Sequence, residues 1–174
     1  TAQEHAVWAV NGSKVVITGG EFTAIDNVAV TANGNQGEGP VDVTITGGTF
    51  NCGIVTSDYL ACGVFVAQDG NWKILGGTFN MTSDKATAFV VRGGNVNIDL
   101  SKVTVNMGSD MDSSSLRVGD STRVQSGHIV AAYYTNGSYG FDGSNASLTI
   151  DGIVVIDEDD LSTYVGSNIY YYDN

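Results

Sequence analysis

The sequence predicts an all-β chain, a single-stranded right-handed parallel β-helix (solenoid) of about six coils. Internal repetition and a period of two in the apolar residues carry that expectation. Three near-copies, ITGGEF at Ile17–Phe22, ITGGTF at Ile45–Phe50 and ILGGTF at Ile74–Phe79, share one register. The same register extends to weaker copies, IDLSKV at Ile98–Val103, VQSGHI at Val124–Ile129 and IDGIVV at Ile150–Val155. Starting positions 17, 45, 74, 98, 124 and 150 give a repeat of 24 to 29 residues, the range of stacked-repeat architectures.

Strand rather than helix follows from the residues before each Gly pair. Val41-Asp42-Val43-Thr44-Ile45-Thr46 alternates apolar and polar, and Val96, Ile98 and Leu100 alternate with Asn97 and Asp99. That is the pattern of a half-buried strand, and Thr, Val and Ile dominate where a helical repeat would carry Ala, Leu, Glu and Lys. A second apolar strand precedes each copy, at Trp8–Val10, Val28–Val30, Val64–Val66 and Phe89–Val91. The Gly pair frees the backbone for a bend, after which the residue at +5 turns inward. Stacking at the strand spacing of about 4.8 Å predicts two buried columns. One holds Ile17, Ile45, Ile74, Ile98, Val124 and Ile150, the other Phe22, Phe50, Phe79, Val103, Ile129 and Val155.

The whole chain, 1–174, reads as one domain and as a piece of something longer. Clear copies occupy 6–105, degenerate copies 106–156, and a tail rich in Tyr that could cap the stack 157–174. With 23 Gly against the single Pro40, turns are made by Gly, Asn and Asp. The 42 % hydrophobic content excludes wholesale disorder. The first coil begins almost at Thr1 without an evident cap. The open strand edge there predicts a homo-oligomer or an attached upstream domain.

A net charge of −12, from 7 Lys+Arg against 19 Asp+Glu, makes nucleic acid and an anionic membrane poor partners. No apolar run approaches the 18 to 20 or so residues that cross a bilayer. Asp157, Asp159 and Asp160, with Glu158 between, form an acidic run that is either a solvated loop or a divalent-cation site. Cys52 and Cys62 enclose a short loop and could be bridged in an oxidising compartment; equally, they are two small buried hydrophobes in adjacent strands. No cofactor motif is present, whether phosphate loop, nucleophile elbow or zinc signature.

The small apolar strand, the Asn-Gly or Asp-Gly turn, the alternating strand and GGTF together resemble the coils of right-handed β-helices in gut bacterial surface proteins and phage fibre or decoration proteins. That resemblance implies an extracellular location, on a virion or a cell surface, and a scaffold that hosts adhesins, tailspikes, pectin-cleaving enzymes and inert stalks alike. Hydrolysis on such a scaffold needs paired carboxylates. Asp99 and Asp151 are the candidates, two coils apart in the expected register, with His128 in the next bend; no His shares their column. Binding has more support. Tyr59 lies in an insertion, and Tyr133, Tyr134, Tyr139 and Phe141 lie in a Gly/Ser/Asn-rich segment, where exposed aromatics would stack sugars or anchor a protein interface. The expected function is a non-catalytic attachment or decoration module binding a surface carbohydrate or protein, with a bacterial adhesin fragment and a polysaccharide hydrolase or lyase as alternatives.

Overall fold

The computed structural model describes residues 1–2, 5–25, 27–32, 39–54, 61–67, 69–82, 86–107, 115–118, 122–125, 129–132, 147–156 and 170–172. Their strands form two large sheets and one hairpin. The first sheet has the order β1 (Val7–Ala9), β3 (Val28–Ala32), β5 (Ala61–Val66), β8 (Ala86–Val91), β13 (Val130–Ala132) and β16 (Tyr170–Tyr172). The second runs β10 (Val103–Asn106), β7 (Gly77–Met81), β4 (Asp42–Ile54), β6 (Asn71–Ile74), β9 (Asn95–Ile98), β14 (Ser147–Ile150) and β15 (Ile153–Ile156), with β2 (Lys14–Ile25) paired to β4. The hairpin is β11 (Ser115–Val118) with β12 (Thr122–Gln125).

The fold is all-β, but the expected single solenoid of about six coils is not what forms. The strands divide into two sheets of mixed direction, in which parallel pairing gives way to antiparallel pairing at β13 with β16 and β14 with β15, and a separate antiparallel hairpin of β11 with β12. A chain that reverses beside its neighbour cannot continue a parallel winding.

Within the parallel region the repeat sets the register. Ile17, Ile45, Ile74 and Ile98 lie side by side, and Ile98 pairs directly with Ile150. Val124 is absent from that column, because β12 pairs back onto β11 and Leu116 faces it. Phe22, Phe50 and Phe79 form the second column, their rings stacked within 10° of parallel and with centroids 5.1 and 4.5 Å apart. Its next member is Val105, opposite Phe79, while Val103 faces Gly77. Ile129 and Val155 also leave this column. Ile129 accepts a hydrogen bond from the Phe89 amide beside the first sheet, and Val155 belongs to the reversed strand β15.

The two sheets bury their strands differently, and composition follows. β6 and β9 alternate exposed and buried residues, so their sequences alternate polar and apolar. β5 and β8 are buried at every position, so ACGVFV and ATAFVV are nearly all small or apolar. One face packs into the main core with Ile45, Phe50, Trp72 and Phe79; the other forms a second cluster of Val28, Cys62, Phe65, Ala67, Val90 and Ala131.

The Gly pair has two separate jobs. A Cβ on Gly47 would stand 2.6 Å from the Thr18 carbonyl oxygen, and one on Gly76 would stand 2.4 Å from that of Thr46, so the first glycine admits the neighbouring strand's backbone. The second, Gly48, has a φ of +115°, in the region that favours glycine.

Candidate functional site

The carboxylates Asp99 and Asp151 are nearer than the expected register placed them. Because Ile98 pairs with Ile150, the two aspartates follow on adjacent strands, and the Asp151 amide donates to the Ile98 carbonyl at 2.9 Å. Each occupies a turn at the end of its strand. The Asp99 turn is closed by the Lys102 amide bonding back to the Asp99 carbonyl at 3.1 Å. Asp151 sits at a φ of +51° and Gly152 at +78°, a pair of left-handed residues that turns β14 into β15 in two steps.

Ser101 connects the two acids. Its hydroxyl donates to Asp99 Oδ1, and its amide donates to Asp151 Oδ1 at 3.3 Å. Lys102 Nζ completes the group, 2.6 Å from Asp99 Oδ2. The Lys102 ammonium, then the Ser101 hydroxyl, hold the Asp99 carboxyl below the ordinary carboxylate range. Asp99 is therefore a carboxylate committed to an ion pair, able to accept protons or cations and unsuited to delivering a proton near neutrality.

The remaining expected site residues, His128, Tyr59, Tyr133, Tyr134, Tyr139 and Phe141, lie outside the described residues, as do Asp157, Asp159 and Asp160. Among the described residues no group of three or more His, Cys, Asp or Glu is placed to hold a metal ion. Cys52 and Cys62 are both buried, free thiols. Burial pushes Cys52 up to about 12, and burial together with the neighbouring Cys52 raises Cys62 well above its usual value. Cys52 belongs to the main core and Cys62 to the second cluster.

The exposed apolar residues gather at the outermost strands. Trp8 (57 % exposed) belongs to β1, Val10 follows it, and Val16 (68 %) belongs to β2; at the opposite end Ile153 and Val154 belong to β15. Trp8 packs edge-on against His5 with centroids 5.4 Å apart. Sequence reasoning passed over this aromatic pair because Trp8 lies in an apolar strand that reads as core. Its exposure comes from β1 being the last strand of its sheet. A polar strip runs beside the Phe column, where Asn106 donates to Asn80 at 2.7 Å, Asn80 to Asn51 at 2.8 Å, and Asn51 to Glu21 at 3.0 Å.

No family model matches the chain, and neither a curated protein nor a solved structure matches it either.

Proposed function

We propose that this chain is a non-catalytic attachment or decoration module, exposed outside a cell or on a virion, that presents its surface to a carbohydrate or protein partner. The observation that carries the reading is the state of Asp99: with Lys102 paired to it, this member of the Asp99–Asp151 pair is held ionised and has no proton to give a leaving group. The likeness of the ITGGTF copies to surface proteins and phage fibre or decoration proteins supports the same reading, as does an acidic charge that keeps a displayed module soluble. Exposed Trp8 beside His5 adds an aromatic platform of the kind that contacts sugars or anchors interfaces.

One observation favours hydrolysis as a second reading, the placement of Asp99 and Asp151 on adjacent paired strands with Ser101 bonded to both. Incubation with pectic, capsular and mucin polysaccharides separates the two. Binding without new reducing ends or unsaturated products, weakened by Trp8→Ala or Tyr133→Ala, is the expected result. Turnover that disappears in Asp99→Asn or Asp151→Asn would overturn the proposal in favour of the hydrolase.

A further inference from the structure

Beyond each Gly pair the parallel strands present a face that carries polar side chains in two straight rows. Phe22, Phe50, Phe79 and Val105 stand side by side and pack inward, so the residues on either side of them face outward. One row runs Glu21, Thr49, Thr78, Thr104 and the other Thr23, Asn51, Asn80, Asn106, each residue paired with the next. Four strands about 4.8 Å apart make each row about 14 Å long, and two residues along a strand set the rows about 6.6 Å apart. Thr104 and Asn106 are exposed, and Thr49, Asn51, Thr78 and Asn80 are partly exposed.

The face is rigid, and its donors and acceptors are set in advance. Behind it the three Phe rings are stacked within 10° of parallel. On it the amides point one way, Asn106 donating to Asn80, Asn80 to Asn51 and Asn51 to Glu21. Such a ladder by itself only ties neighbouring strands together. Here it leaves polar capacity over, because Asn80 uses one of its two N–H groups and one of its two oxygen lone pairs in the ladder. The Thr row takes no part in it: among the described residues, the hydroxyls of Thr49, Thr78 and Thr104 meet no protein partner.

We infer that this Thr/Asn face binds an extended, neutral polysaccharide whose chain runs across the strands. The inference rests on the reading of the chain as an attachment module, and it names the class of carbohydrate and the face that takes it. Thr hydroxyls and Asn amides both donate and accept, as the hydroxyls of a sugar do. One strand spacing is close to the length of one pyranose ring, so about three sugar units fit along the rows, their two edges meeting the hydroxyl row and the amide row. Charge selects a neutral polymer. The two rows hold one ionisable side chain, Glu21 at their end, and the net charge of −12 repels a uronate or sulfated chain.

Affinity electrophoresis of the full chain tests this, in native gels containing mixed-linkage β-glucan, glucomannan or polygalacturonate. Retardation by a neutral polymer and none by polygalacturonate is the expected result. Thr49→Val combined with Thr78→Val keeps strand propensity and removes two hydroxyls, so the melting temperature holds or rises while the polymer concentration needed for half-retardation increases about tenfold or more. Asn97→Ala, on the exposed face of β9, leaves retardation unchanged. Retardation that survives the double substitution but disappears in Trp8→Ala would overturn this face and leave the attachment reading intact. Retardation by polygalacturonate alone, or by none of the three polymers, would also overturn it; the attachment reading survives that result where capsular or mucin polysaccharide is bound through Trp8.

Discussion

Removing the Phe50 ring tests the stacked core where it is most constrained. Phe50 is fully buried, with Phe22 on one face at 5.1 Å and Phe79 on the other at 4.5 Å. Truncating a buried Phe to Ala costs about 3–5 kcal/mol, the larger values arising where surroundings cannot collapse into the space. Here they cannot, because β2, β4 and β7 hold the three rings on backbones tied by parallel ladders. Phe50→Ala should thus cost about 4–5 kcal/mol, a third or more of the roughly 5–15 kcal/mol that stabilises a typical domain. Phe22 provides the internal control. It is only partly buried and has one stacked neighbour, so Phe22→Ala should cost about 1–2 kcal/mol, made of partial burial and one aromatic pair. Urea unfolding followed by the fluorescence of buried Trp72 measures both differences. Equal costs for the two substitutions, or less than about 1.5 kcal/mol for Phe50→Ala, would refute the stacked-core argument.

Three further outcomes follow from the same geometry. Gly152→Ala, at a φ of +78° in open space, should cost about 1 kcal/mol in urea unfolding, whereas Gly76→Ala should cost clearly more because the Thr46 carbonyl oxygen lies 2.4 Å from the new Cβ. Native protein should resist alkylation of Cys52 and Cys62 at pH 8, since buried thiols raised this far carry almost no thiolate; rapid native labelling followed by mass spectrometry would contradict it. Asp99 and Asp42 are held below their ordinary value of 3.8, by Lys102 and by hydrogen bonds from Asn71 respectively. Their contribution to stability is present above that value and lost as pH falls through the lower folded one. Lys102→Met should therefore flatten stability against pH in the acid range below about pH 4 and leave the shape near neutrality unchanged.

Much of the second sheet was legible because one physical rule governs it. Equivalent residues of successive copies pair side by side, so ITGGEF, ITGGTF and ILGGTF align Ile17 with Ile45 and Ile74, and Phe22 with Phe50 and Phe79. In the later copies a count of positions alone sets the register, and a count does not reveal a change in the bend. In IDLSKV a turn through Leu100 and Ser101 replaces the Gly pair and adds two residues, so the inward partner of Phe79 is seven positions after Ile98 rather than five. A shift of two keeps the same face, which is why Val103 and Val105 both pack partly against the core and only the register was missed. The acidic pair shows what that costs. Placing Val124 between Ile98 and Ile150 set Asp99 and Asp151 two strands apart, while the actual pairing makes them neighbours.

A local signal for the reversal was also present in the sequence. Asp151-Gly152 lies between Leu148-Thr149-Ile150 and Ile153-Val154-Val155, a two-residue Asp-Gly between apolar runs, which favours the tight turn of an antiparallel hairpin. As one more parallel copy IDGIVV would continue the stack; as a turn it ends it. This difference separates the two ends of the structure. At the far end β15 folds back on β14 and β16 lies antiparallel on β13, so the last strand of each ladder no longer runs in the repeat's direction. Among the described residues, β1 and β2 at the near end still follow that direction, with Ala2 bonded beside Thr23 and Ile25.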